Sequence, residues 1–408
     1  MVDAVNRDRA DNNGRSSQST PSRFVPSIEP IVPDVLTTNP APDISTMLRG
    51  RIDSGDFPSA VYVVAEHGRE VFAEALGEAV REPESVQASL ETIYDLASLT
   101  KPLVTGLLCA RLVQSGELTL DSSVANYLQE FDRPDKNRIT IRELLTHTSG
   151  LPAWRPLYIL ANGDKAGAIA AIANQPLEFK PSERVVYSDL GFILLGTLLE
   201  RLTGKQLAQL AQSEIFAPLD LRATFFNPKA ATRTGAAACE SGNAYERQMC
   251  ERDYAVQTYA GWRTGVIWGE VHDGNAHFLG GAAGHAGLFS TAGETLHLAN
   301  QFIGSLSKLL AKDTCELFRR NMTVGLNESR SFAWQLAATK ESTAGTSLPP
   351  DAFGHTGFTG TSCWIDATGE RVYIMLTNRT HARPLPFANI NQVRRDFHTM
   401  AAAALTVA

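Results

Sequence analysis

The sequence predicts an α/β (α+β) fold, with an antiparallel sheet formed from both chain ends, flanked by helices, and a mostly helical region inserted between. Three observations predict it. Alternating strand-like runs bounded by tight turns cluster near residues 60–75 and again near 331–376. Apolar residues at helical spacing fill the middle of the chain. A long apolar run, Pro102-Leu103-Val104-Thr105-Gly106-Leu107-Leu108-Cys109-Ala110, follows Ser98 and Lys101, so Ser98 is expected to open a buried helix with Pro102 tolerated in its first turn.

Taken in order, residues 1–40 are rich in Asn, Ser, Pro, Asp and Arg, which predicts a disordered N-terminal tail. Ser45–Ile52 reads as a short helix. Ala60–Glu66 and Glu70–Ala75 alternate as two strands with His67-Gly68 at the turn, and Thr92–Leu96 is extended. Val124–Phe131, Ile141–Leu145, Lys165–Ala173, Gly191–Leu202 and Leu207–Ile215 carry helical patterns. Ser331–Ala337, Gly354–Phe358, Ser362–Ile365 and Arg371–Leu376 read as strands, with Asp366-Ala367-Thr368-Gly369 turning between the last two, and Asn391–Leu405 as a closing helix. The expected division is a sheet region of 41–105 plus 326–408 and a mostly helical insertion of 106–325. A site in the cleft between them follows.

At 408 residues and 43% hydrophobic content the chain buries a large core. A net charge of −7 gives no basic footprint for nucleic acid or anionic lipid. No apolar stretch reaches the roughly 18 residues that span a bilayer. Met1 to Pro21 is polar with no apolar centre, unlike a signal peptide. The default expectation is therefore cytoplasmic, with a periplasmic or secreted location if a leader has been removed; oligomeric state is not legible. Five cysteines (Cys109, Cys239, Cys250, Cys315, Cys363) include no CxxC; Cys239 and Cys250 could pair, but reduced thiols are expected. His272, His277 and His285 match no common zinc spacing, so neither metal nor cofactor is expected, and a small-molecule substrate is. His285 sits in a Gly-rich loop that is a candidate cleft wall. His147 is expected to fix its loop, and core packing is the default for Trp154, Trp262, Trp268 and Trp364.

The chemistry-bearing elements lie far apart: Ser98-Leu99-Thr100-Lys101, Tyr187-Ser188-Asp189 and His355-Thr356-Gly357. Ser and Lys three apart on a helix share one face, so the hydroxyl lies beside an amine that helps remove its proton. A tyrosine completes such a base, and an edge strand offers a backbone N–H to an oxyanion. A lone S-x-x-K is weak, since about one or two occur by chance in a chain this long. Ser305-Leu306-Ser307-Lys308 is such a decoy, expected on the solvated face of an amphipathic helix over Leu296–Leu310. Ser98 alone also fits a helix cap. The three elements together point to serine acyl-enzyme chemistry.

On these motifs, and on Leu144-Leu145-Thr146-His147-Thr148-Ser149-Gly150-Leu151-Pro152, the chain resembles the serine β-lactamase and penicillin-recognising enzyme superfamily. The branch is that of class C β-lactamases, D-alanyl-D-alanine carboxypeptidases and β-lactamase-like esterases. The resemblance runs from about residue 45 to the C-terminus. It implies Ser98 as nucleophile, Lys101 and Tyr187 sharing general-base work, and an oxyanion held by the N–H groups of Ser98 and Phe358. It places Asp189, His355, Thr356 and Gly357 against the substrate.

Two departures bear on substrate. Lactamases of this branch have lysine at the position of His355; a histidine titrating near about 6.5 carries part of a charge at neutral pH, so it orients but attracts anions weakly. Asp189 replaces an asparagine, accepts only, and is placed to pin Lys101 as a cation. The expectation is a serine hydrolase acting on an ester, amide or β-lactam bond, with esterase or peptidase activity ranked above lactamase. The alternative is a penicillin-binding or scaffold protein that barely turns over.

Overall fold

The structure is a computed structural model and describes residues 37–406. Its main sheet has seven strands, all antiparallel to their neighbours. They run in the order Val86–Gln87, Arg69–Val80, Ser59–Glu66, Arg371–Thr377, Ser362–Asp366, Phe353–Thr356, Gln335–Leu336. The two ends of the chain meet at its centre, where Ala60 faces Thr377 and Glu66 faces Arg371.

Period-2 alternation explains how Ser59–Glu66 takes that central place. Val61, Val63 and Ala65 point into the larger core, while Ala60, Tyr62 and Val64 point to the other face. Both faces are covered, so the strand reads as a nearly unbroken apolar run. Each fully buried valine contributes about 1.5–3 kcal/mol relative to an exposed one. Helices Pro42–Asp53 and Asn391–Ala404 cover the second face and touch each other. At the turn after this strand, His67 (φ +53°) and Gly68 (φ +78°) both take the left-handed conformation that a two-residue hairpin requires.

Between the sheet's two halves the chain is mostly helical. Asp189–Thr203 starts on Ser188, whose hydroxyl accepts from Gly191 N–H, and stops at left-handed Gly204. It is buried on nearly every side because other elements surround it. Three short strands, Tyr94–Asp95, Leu288–Ser290 and Phe225–Phe226, form a second small sheet. Helix Ala292–Ala299 packs on the central strands of the main sheet, although it precedes residue 326.

Several expected elements differ. Val124–Phe131 is two 3-10 turns, Val124–Asn126 and Gln129–Phe131, the first capped by Ser123. The strand expected over 331–337 is only Gln335–Leu336. The helix expected over 296–310 ends in a 3-10 turn at Phe302, so Ser305 and Lys308 lie on irregular, exposed chain, and Ser305 bonds Glu370. Of the expected tail 1–40, residues 1–36 lie outside the described residues; Asn39 pairs with Ala73 through two 2.9 Å bonds. All five cysteines are free and buried.

Candidate active site

Asp95 sets the turn that carries Ser98. Its buried carboxylate accepts from Ala97 N–H and His272 N–H, each at 2.8 Å. Ala97 is thereby held at φ +47°, a left-handed conformation that a non-glycine residue adopts at a cost of about 1–3 kcal/mol. The chain then turns as a 3-10 segment, Ala97–Leu99, and a π-helical turn, Lys101–Gly106, before the regular helix Leu107–Ser115 begins. A regular helix from Ser98 was expected. Pro102 has no N–H to donate to the Ser98 carbonyl, which removes a bond that such a helix needs.

Lys101 is fully buried and its Nζ has three acceptors around it. Nζ donates to Ser98 Oγ at 3.0 Å and to the His285 carbonyl at 3.0 Å, and lies 2.6 Å from Asp189 Oδ1 as an ion pair without hydrogen-bond alignment. An ammonium has three protons, so these neighbours match its capacity. Burial pushes the Lys101 pKa down, but Asp189 and Tyr187 outweigh it and hold the amine above its ordinary value. Lys101 is therefore a cation at rest.

Tyr187 reaches the site because the 147–153 loop grips the next residue. His147 (φ +59°) accepts from Ser188 N–H at Nδ1, 3.0 Å, and its carbonyl takes Val186 N–H at 2.9 Å. Its ring lies 4.5 Å from that of Tyr187. The Tyr187 ring centroid is 4.9 Å from Lys101 Nζ. Its hydroxyl is buried with no aligned hydrogen bond among the described residues, yet both Lys101 and Ser98 act on it at close range. Burial raises the phenol pKa more than the Lys101 charge lowers it, so it rests neutral.

Ser98 and Phe358 line the same chamber, on two turns that are bonded to each other. Thr359 Oγ1 donates to the Asp95 carbonyl at 2.7 Å and Thr361 Oγ1 to the Leu96 carbonyl at 3.0 Å, which ties the turn holding Phe358 to the turn holding Ser98. Gly357 allows that approach: a Cβ there would lie 2.6 Å from the Leu96 carbonyl oxygen. Among the described residues, neither Ser98 N–H nor Phe358 N–H meets a protein acceptor.

His355 is buried, and its pKa is driven well down by burial and by the nearby Lys101 and Arg330. The partial charge expected from the sequence is therefore absent. Its Nδ1 donates to the Thr356 carbonyl at 2.9 Å, which leaves Nε2 as an unpartnered acceptor. The positive charge lies elsewhere. A chamber of about 430 Å³ lined by Ser98, Tyr187, His355 and Thr356 also carries Arg330, Arg379 and Arg394. Arg330 pairs with Glu328, whereas Arg379 and Arg394 have no carboxylate partner among the described residues. Arg394 is 6% exposed, donates to the Gly357 and Thr361 carbonyls, and has an unpartnered Nε. Burial and Arg379 bring its pKa down to about 9, so it stays charged at neutral pH.

The structure thus brings together Ser98, Lys101, Tyr187, Asp189, His355, Thr356, Gly357, Phe358 and His285. Sequence reading missed the arginines. One signal was present: Arg394 shares the i, i+3, i+7 stripe with Phe397 and Ala401, all buried, and an arginine on an apolar stripe is unusual. His285 pairs through Nε2 with Asp273 at 2.9 Å. Of the tryptophans, Trp154 lines the cleft, while Trp268 and Trp364 are core. Among the described residues no group of three ligating side chains converges on a metal position.

A family model described as Beta-lactamase matches residues 44–395. A putative D-alanyl-D-alanine carboxypeptidase of Escherichia coli (strain K12) is 33% identical over 363 residues, 81% of this chain and 80% of that protein. An N-acetylmuramyl-L-alanine amidase of Bacillus subtilis is 33% identical over 374 residues, 83% of this chain and 80% of that one. EstCE1, a hydrolase with promiscuous acyltransferase activity, superposes with a TM-score of 0.67 at 24% identity, covering 87% of this chain and 97% of the other. A class C beta lactamase from Rhodobacter sphaeroides gives a TM-score of 0.66 at 18% identity, covering 90% and 100%. At that identity the structural likenesses establish the fold.

Proposed function

The chain belongs to the beta-lactamase family of serine hydrolases, and from that premise we propose that it hydrolyses amide bonds whose leaving amine carries a carboxylate. Ser98 is the nucleophile in this reading. The phenolate form of Tyr187, which the adjacent Lys101 cation stabilises and which alkaline pH populates, accepts the Ser98 proton as the serine oxygen attacks the carbonyl carbon. The N–H groups of Ser98 and Phe358 hold the oxyanion. Collapse breaks the C–N bond, Tyr187 returns the proton to the leaving amine, and a water molecule then releases the acyl group by the reverse sequence.

One observation carries the substrate class: two guanidiniums without carboxylate partners line the side of Ser98 on which Tyr187 lies. The leaving group is protonated from Tyr187, so it departs on that side. A carboxylate there satisfies Arg394 and Arg379. That the carboxypeptidase and amidase relatives are named for amide cleavage supports the same reading.

The test is a panel of a chromogenic acetate ester, a chromogenic cephalosporin and a peptide ending in D-alanyl-D-alanine, followed by intact mass. Turnover with a Ser98-bound acyl intermediate is expected, abolished in Ser98→Ala and kept in Ser305→Ala. Full activity in Ser98→Ala overturns the reading; a stable adduct without turnover indicates a binding protein instead.

A further inference from the structure

Phe358 sits in a turn whose carbonyls are held by two arginines. Gly357 C=O accepts from Arg394 Nη2 at 2.7 Å and from Gly360 N–H at 3.1 Å. Phe358 C=O accepts from Arg379 Nε at 2.6 Å, and Thr359 C=O from Arg379 N–H at 2.9 Å. Thr361 C=O accepts from Gly357 N–H at 2.8 Å and from Arg394 Nη2 at 3.1 Å. The Phe358 N–H meets no protein acceptor among the described residues, so it is free for a substrate oxygen.

The Arg394 contact fixes where that N–H points. The Gly357–Phe358 peptide is trans, since the described chain has cis bonds only at Glu82-Pro83 and Leu385-Pro386. In a planar trans peptide the C=O and the N–H point in opposite directions. With the Gly357 carbonyl on the guanidinium, the Phe358 N–H is directed away from Arg394. The same contact alters its strength. A guanidinium on the peptide oxygen draws electron density from the nitrogen of that unit, which makes the N–H a stronger donor. An oxyanion on the Phe358 N–H thus feels the Arg394 charge through one peptide group.

The guanidinium is costly where it lies. Arg394 is 6% exposed, has no carboxylate partner among the described residues, and belongs to the first turn of helix Asn391–Ala404, near the positive end of its dipole. An apolar side chain would fill that stripe at less cost. Nη1 donates to Asn391 Oδ1 at 2.9 Å, which fixes the plane of the fork.

We infer that Arg394 is a positioning residue of the oxyanion site: acting through the Gly357–Phe358 peptide, it aims and polarises the Phe358 N–H, for substrates without a carboxylate as well as with one. The inference rests on the reading of Ser98 as nucleophile with its oxyanion on the Phe358 N–H. It adds a second task to the arginine that meets the leaving group in that reading.

The test uses the full chain with 4-nitrophenyl acetate, whose leaving group has no carboxylate, and with phenylboronic acid, whose boron becomes a tetrahedral anion on bonding the Ser98 oxygen. In Arg394→Gln, ester kcat is expected to fall about tenfold or more with KM within about threefold of the parent, and the boronate inhibition constant to rise about tenfold. Arg394→Met fills the space without charge, is expected to show the same loss, and stands should the glutamine variant fail to fold by circular dichroism. Arg394→Lys restores the charge and is expected to regain about threefold or more in kcat over Arg394→Met. Arg395→Gln alters the neighbouring arginine, which bonds Gln392 and the Glu341 carbonyl instead, and is expected to match the parent. Near-parent ester kcat in a folded Arg394→Gln or Arg394→Met overturns the inference. So does a loss carried by KM with boronate affinity unmoved, or no gain in Arg394→Lys. The two readings fail separately. If Arg394→Gln slows a peptide ending in D-alanyl-D-alanine but not the ester, this inference falls and carboxylate recognition stands. Ester turnover that survives Ser98→Ala defeats the acyl-transfer reading itself.

Discussion

Replacing Asp189 by asparagine tests how the proton carriers are tuned. At 2.6 Å, two unit charges in an effective dielectric of about 20 interact by roughly 6 kcal/mol. Asparagine keeps an oxygen dipole in place, so we take about half of that as lost, about 3 kcal/mol, or roughly two pH units. Removing an anion makes deprotonation easier for every neighbour, so Lys101 and Tyr187 both move down. In the parent protein both groups sit above their ordinary values, and hydrolysis is expected to climb into the alkaline range. In Asp189→Asn the rising limb of kcat against pH shifts acidward by about two units. The assay is initial-rate hydrolysis of a chromogenic acetate ester from about pH 6 to 10.5, corrected for spontaneous hydrolysis, with circular dichroism confirming the fold. A limb that stays in place, or moves to higher pH, refutes the view that Asp189 holds this pair protonated.

Three other outcomes follow from the same geometry. Arg394→Gln leaves a substrate carboxylate facing a neutral group; losing one partner of a desolvated charge pair costs about 2–5 kcal/mol. The expected result is at least a 30-fold lower kcat/KM on peptides ending in carboxylate, read against the acetate ester, and an equal drop on both counts against carboxylate recognition. Gly357→Ala forces a Cβ to 2.6 Å from the Leu96 carbonyl oxygen, so ester kcat should fall at least tenfold while Ser98 remains present; near-parent kcat would show that the Phe358 turn does not hold the oxyanion. His398 is fully buried, donates from Nδ1 to the Thr343 carbonyl, and burial lowers its pKa to about 3. Its folded value lies below the unfolded one near 6.5, so the unfolded chain binds more protons between them and stability is lost as the pH is lowered through that window. From about pH 6.5 to 5 this amounts to roughly 2 kcal/mol, measurable by urea denaturation and diminished in His398→Gln; an unchanged pH slope in the variant speaks against His398 as the source.

What the residue order determined was local chemistry and period. Alternation in Ser59–Glu66 and Arg371–Thr377 marked the sheet's central strands, and Ser98 and Lys101 share a turn by spacing alone. Tyr187 and the His355-Thr356-Gly357 run were legible as motifs for the same reason. Tertiary packing decided the electrostatics. The charge on His355 depends on its burial beside Lys101 and Arg330, and neither is near it in sequence. The arginines of the cleft come from residues 330, 379 and 394, and Arg394 is held there by the carbonyls of Gly357 and Thr361. Local spacing cannot encode a dielectric environment or a pairing across hundreds of residues; those exist only once the chain has excluded water from the cleft.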